Sequence, residues 1–168
     1  MPDLLVSDLK AHYFQSDLGG LFSNGLLAPQ RKAGCAHWSY DVAPRTQISI
    51  RVQTTLRIPE FNCAPEPDLL WVRRRRYSRK HPEPADVLLL AEVAESSLGE
   101  DRGEKRDLYA RAMIAEYWIV NLVDNTVEVY REPDGVSYQW SRIFRRGDAV
   151  TPLSLPNASL LVSELLPA

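Results

Sequence analysis

The chain has 168 residues, 45% of them hydrophobic and 25% charged, which suits a soluble globular protein built as one domain around one core. Its formal net charge of −2 excludes a uniformly basic coat for nucleic acid and leaves room only for a local basic patch. Cys35 and Cys63 are too few for a disulfide scaffold and form no metal-type pair.

Residues 1 to about 45 carry weak signals: a short helix near Leu4–Phe14, then Gly19, Gly20 and Gly25 punctuating a loop-like stretch. The pattern then sharpens. Gln47–Ile58 alternates through Ile48, Ile50, Val52, Thr54 and Leu56, the period of a half-buried strand. Pro65 and Pro67 bracket a break before a second strand at Leu69–Val72, and residues 73–86 form a polar connector containing RRRRYSRK. Val87–Val93 is a nearly unbroken apolar run, as expected for a strand buried on both faces. A helix follows over Asp101–Met113, in which Leu108 and Ala112 share one face and Lys105 and Tyr109 another. Strands are expected at Tyr117–Val120, at Thr126–Tyr130 after the Asp124-Asn125 turn, and near Val136–Phe144 after Pro133-Asp134-Gly135. Asn157 to Leu166 reads as a short closing helix. This order predicts an α/β or α+β domain with a mixed sheet and few helices.

Glu92 stands out because it lies inside LLLAEVA, and a buried carboxylate is costly unless it is paired or bound to metal. Asp68 sits at the lip of a neighbouring strand, and Lys105 about one turn into the following helix. On spacing alone two readings stay open. In one, Glu92 and Lys105 form a buried structural ion pair and Asp68 caps a turn. In the other, the three converge as metal-assisted phosphodiester hydrolysis requires, with hard carboxylate oxygens for Mg²⁺ and an ammonium for the attacking water or the growing phosphate charge.

Elsewhere, Arg73, Arg74, Arg75 and Arg76 with Arg79 and Lys80 place six positive charges in eight positions, either a solvated loop or a grip on a phosphate backbone near Asp68. His12, His37 and His81 share no zinc-like spacing, Ser96-Ser97 fits a turn or cap, and Tyr117 and Trp118 fit core packing better than base stacking. No apolar run approaches the roughly 18 residues of a membrane span. The start MPDLLVSDLK lacks the order of a secretory signal, so a cytoplasmic location is expected.

The ordered words PEPDLLWV, VLLLAEVAESS, DRGEKRDLYARA, AEYWIV and TVEVYREPDG resemble the Uma2 family, also known as DUF820, of the PD-(D/E)xK nuclease superfamily. The resemblance runs from about Gln47 to the C-terminus, with residues 1–45 poorly matched. It implies a restriction-endonuclease-like mixed β-sheet core flanked by helices, and a DNA endonuclease using Mg²⁺ or Mn²⁺, expected to work as a homodimer on its DNA. Under it Asp68 and Glu92 are the two acids, the Val93 carbonyl is a further metal ligand, and Asp101 and Tyr109 position Lys105. A degenerate fold that binds nucleic acid or a protein without cutting is the alternative. Two departures from the superfamily pattern are visible. The usual lysine position, two residues after the second acid, is Ala94, so Lys105 supplies the ammonium from the helix instead. The N-terminal glutamate of the family has no counterpart, since no Glu precedes Glu60 and only Asp17 is at hand.

Overall fold

The computed structural model describes residues 27–166 apart from 76, 78 and 79. Helix α1 (Leu27–Val42) leads into strands β1 (Ile48–Val52), β2 (Leu69–Arg73) and β3 (Val87–Ala94). Helix α2 is built from three consecutive segments, Leu98–Glu100, Asp101–Lys105 and Arg106–Arg111, the middle one wound as a π-helix. Strands β4 (Glu116–Asn121), β5 (Thr126–Pro133) and β6 (Tyr138–Arg145) follow. A small pair, β7 (Ala149–Val150) and β8 (Leu160–Leu161), precedes the single turn of α3 (Val162–Leu165).

The first six strands form one sheet in the order β1-β2-β3-β4-β5-β6. Neighbours are antiparallel except β3 and β4, which run parallel. A parallel pair cannot be closed by a tight hairpin and needs a crossover, and α2 is that crossover. One sheet face, with Trp71, Leu89, Ala91 and Trp118, packs against Cys35 and Ala36 of α1 and Val162 and Leu165 of α3. The other, with Leu70, Leu90 and Ile119, packs against Tyr109 of α2 and Ile114 beyond it. β3 is therefore covered on both sides, which is why its sequence is apolar without alternation. The expected mixed sheet flanked by helices is the architecture found.

Two buried acids fix the covering layers. Glu128, on β5, takes Nε of Arg102 at 3.0 and 3.1 Å and Nη2 at 2.6 Å, which locks α2 onto the sheet. Burial raises the Glu128 carboxyl, but Arg102, Asn121 and Tyr130 outweigh burial and hold it below its ordinary value. Glu116, fully buried on β4, accepts from Trp118 Nε1 at 2.9 Å, Arg131 Nη2 at 2.6 Å and the Leu153 amide at 2.8 Å. This ties the C-terminal segment to the sheet.

Some expected boundaries shift. The strand read over Gln47–Ile58 ends at Val52, because Gln53 takes a positive φ of 45° and turns the chain out of the sheet. Leu56 and Ile58 are nonetheless fully buried, so the alternation continues past the strand for reasons of packing. The helix read as starting at Asp101 begins a turn earlier, at Leu98. The closing helix is shorter than Asn157–Leu166, since its first part is turn and the β8 pairing. Helix α1 lies within the stretch read as weakly patterned, and the expected helix near Leu4–Phe14 lies outside the described residues.

Candidate active site

Asp68 immediately precedes β2, and Glu92 lies near the carboxyl end of β3. The antiparallel register pairs Leu69 with Ala91 and Leu70 with Leu90, so the next pair outward is Asp68 and Glu92. The two acids lock to each other's neighbourhood through the main chain. The Asp68 amide donates to Glu92 Oε2 at 3.1 Å, and the Val93 amide donates to Asp68 Oδ2 at 2.9 Å. Each carboxylate thus has one oxygen fixed by backbone and one turned to a cation.

The cations are two lysines. Lys105 Nζ lies 3.3 Å from Glu92 Oε1 and 2.8 Å from Asp101 Oδ1, with Glu100 Oε1 at 4.0 Å. Lys32 Nζ, from α1, lies 2.6 Å from Asp68 Oδ1. Tyr109 also donates its hydroxyl to Glu92 Oε1 at 3.1 Å. Asp101 is fully buried, its other oxygen taking the Ser97 hydroxyl at 2.7 Å, so it presents a fixed counter-charge one helical turn from Lys105. Ser97 therefore serves the turn that starts α2.

Burial pushes the Glu92 carboxyl up to about 7; Lys105 pulls it down and nearby Asp68 adds to the rise. Burial draws the Lys105 ammonium down, yet the Asp101 hydrogen bond and the Glu92 charge more than restore it, to about 12. Burial, and then the Glu92 charge, raise the Tyr109 hydroxyl well above its ordinary value, so it remains a donor. The result is a carboxylate–ammonium cluster in which one acid is held near neutrality and the lysine stays charged.

All five predicted site side chains of this region come together: Asp68, Glu92, Asp101, Lys105 and Tyr109. Ala94 is fully buried and shares the sheet face of Glu92, the face that α2 covers. That geometry explains how a helix can deliver the ammonium when the strand position is alanine. Ala94 itself packs in the core.

The basic cluster is placed differently from the expectation. Arg73 closes β2 while Asp68 precedes its first residue, so at roughly 3.3 Å per residue the two ends lie roughly 16 Å apart. Arg73 is therefore not adjacent to the acids. Arg73, Arg74 and Arg75 are exposed, and Arg75 pairs with buried Asp86. Arg73 and Arg74 line a cavity of about 370 Å³ with Gln47, Ile48, Leu88 and Ser154. Arg76, Arg79, His12 and Asp17 lie outside the described residues. Among the described residues no three His, Cys, Asp or Glu side chains are placed to share one metal ion. Tyr117 and Trp118 are fully buried, as core packing requires. Among the described residues no helix is long and apolar enough to cross a membrane.

Lys32 is the residue that sequence reading missed. It sits on a helix, LAPQRKAGCAHWSYDV, that has Pro29, Gly34 and no sustained apolar stripe, so nothing announces which way its side chains point.

The six-stranded mixed sheet with one parallel crossover, flanked by helices, is the fold of a solved nuclease-type structure. The chain is similar to the crystal structure of "a putative nuclease belonging to DUF820" from Anabaena variabilis, at TM-score 0.64 and 15% identity, covering 86% of this chain and 82% of that one. Such a level of identity speaks for the fold alone. The chain belongs to the Uma2 family: the family model, described as "Putative restriction endonuclease", matches residues 34–163. That match begins within α1, earlier than the motif words. None of the curated proteins matches the chain.

Proposed function

We propose that the chain is a divalent-metal-dependent DNA endonuclease with a PD-(D/E)xK-type site. The observation that carries the reading is the pairing of Asp68 and Glu92 on neighbouring strand ends, each with one oxygen fixed by a main-chain amide and the other turned to a cation. The donor set fits Mg²⁺ or Mn²⁺: two carboxylates are hard oxygen ligands, and Mg²⁺ accepts one or two of them while keeping several waters. Asp68 and Glu92 would hold the ion, with the Val93 carbonyl as a further ligand. When bound, such an ion supplies a water of lowered pKa and neutralises charge growing on the phosphate.

The chain's own groups do the rest. Lys105, kept charged by Asp101, stands beside Glu92 where it can orient a nucleophilic water or stabilise the pentavalent phosphate. Asp101 fixes the ammonium from below, and Tyr109 fixes the Glu92 carboxyl by donating to Oε1. The exposed arginines at the far end of β2 contact the DNA backbone some way from the scissile bond, a distance that suits an extended duplex better than a single phosphate. Two copies of the chain would place one site on each strand.

Nicking of supercoiled DNA with Mg²⁺ or Mn²⁺ tests this. Asp68→Asn, Glu92→Gln and Lys105→Met are expected to fall at least about a hundredfold in rate, on the scale of losing a preorganised electrostatic group. Their circular dichroism should stay that of the parent. Full cleavage by the Glu92→Gln protein would overturn the assignment.

A second reading, a nuclease fold that binds without cutting, is favoured by one observation: among the described residues no third acid is placed to share a metal ion with Asp68 and Glu92. It predicts no cleavage with any divalent metal, together with DNA binding that weakens as salt rises.

A further inference from the structure

The two lysines at the acid pair are held in different ways. Lys105 has its own anchor in fully buried Asp101, at 2.8 Å, and would keep its place whatever happened at Glu92. Among the described residues Lys32 has one carboxylate partner, Asp68 Oδ1 at 2.6 Å, and its side chain is 29% exposed. It reaches the pair from α1, whereas Lys105 comes from α2 across the sheet. The oxygen it takes is the one that the main chain leaves unclaimed, because Oδ2 is held by the Val93 amide. It is therefore the Asp68 oxygen a metal ion would need.

Charge makes the two occupants exclusive in tendency. Lys32 answers Asp68 on the very oxygen the ion would take, while Lys105 is shared among Asp101, Glu92 and Glu100. A divalent ion arriving at Asp68 Oδ1 with Lys32 still in place would put two cations on one carboxylate oxygen. Oxygen–Mg²⁺ bonds run to about 2.1 Å, so an ion and an ammonium on the same oxygen would lie within about 5 Å of each other. Like charges at that separation in a half-buried site repel strongly.

We propose that Lys32 competes with the divalent ion for Asp68 Oδ1 and so sets how tightly the site takes up metal. This rests on reading the site as metal-binding. Without metal the ammonium neutralises Asp68 and keeps it pointed at the site; on metal entry it leaves toward solvent, which its partial exposure allows. Lys32 is a positioning residue, since it acts on the site through Asp68.

Isothermal titration of Mg²⁺, and separately of Mn²⁺, into the purified full chain tests this without reference to cleavage. Lys32→Met and Lys32→Gln remove the charge while keeping a side chain of similar length, and two variants guard against one failing to fold. Both are expected to bind metal about tenfold more tightly than the parent, the scale of releasing one charged hydrogen bond. Lys32→Arg keeps the charge and should bind as the parent does. Equal affinity in parent and neutral variants, or weaker affinity in the neutral variants, overturns the proposal and leaves the nuclease reading standing. A gain in Lys32→Arg as large as in Lys32→Met also overturns it, because the effect would then not be one of charge. No binding heat in any of the four proteins would sink the metal reading itself.

Discussion

Glu92 is visible in the sequence because an acid inside LLLAEVA has to be compensated, and the compensation is explicit in Tyr109, Lys105 and the Asp68 amide. It leaves a measurable trace in the metal-free protein. The folded state holds the Glu92 proton to about pH 7, whereas the ordinary value is 4.5. The folded pKa is raised, so this stabilisation is fully present below about 4.5 and is lost as pH rises through 7. The loss amounts to about 3 kcal/mol. Urea unfolding in chelator should show Glu92→Gln gaining on the parent between pH 4.5 and 7 by up to that amount; a pH-independent difference would mean that Glu92 is ionised throughout. Lys32 leaves no such trace in the sequence. A lysine amid small and polar residues is unremarkable until a helix has been placed, and its role depends on pairing with a residue 36 positions on.

At the scale of elements, β2, β3 and β4 are legible because apolar runs bounded by prolines or turns leave little choice. Two elements are not. β1 is overextended in the sequence because buried Leu56 and Ile58 keep the strand period after the chain has left the sheet. α1 escapes because the face it buries carries small or polar residues, Cys35, Ala36 and Ser39, so tertiary packing rather than local pattern holds it. Helix α2 is legible but its π-wound stretch is not, and such stretches often occur where a side chain must be re-aimed at a functional site. Gly103 lies within that stretch. A Cβ there would meet nothing within 4 Å, and the backbone does not need positive φ. Gly103→Ala should therefore raise stability by about 0.4–1 kcal/mol through the unfolded state. Thermal melting checks this, and a loss of stability would show that the π turn requires glycine.

Over the whole molecule, the acids and the exposed arginines occupy opposite ends of β2, and this separates two quantities that a shared site would mix. Arg73→Ala with Arg74→Ala should weaken DNA binding and flatten its salt dependence by about 0.9 in logarithmic slope for each phosphate that the pair neutralises. The turnover at saturating DNA should be unchanged. A matching fall in turnover would mean that these arginines serve the chemistry after all. The cluster is plain in the sequence, and the distance of Arg73 from Asp68 follows from the strand expected at Leu69–Val72, whose extended backbone holds its two ends apart.

The cross-bonding of Asp68 and Glu92 to main-chain amides also holds the sheet together. Each acid also acts as a clasp across the β2–β3 pair: the Glu92 carboxylate satisfies the Asp68 amide, and the Asp68 carboxylate satisfies the Val93 amide. Replacing either by alanine strips an acceptor from a partly buried N–H, so such a variant could lose activity through a loosened strand end. Selection for a sound sheet would retain both acids in a descendant that had stopped cutting DNA. The signature words can thus outlast the activity, and reading a relative as a nuclease calls for the ammonium groups around the acids as well as the acids themselves.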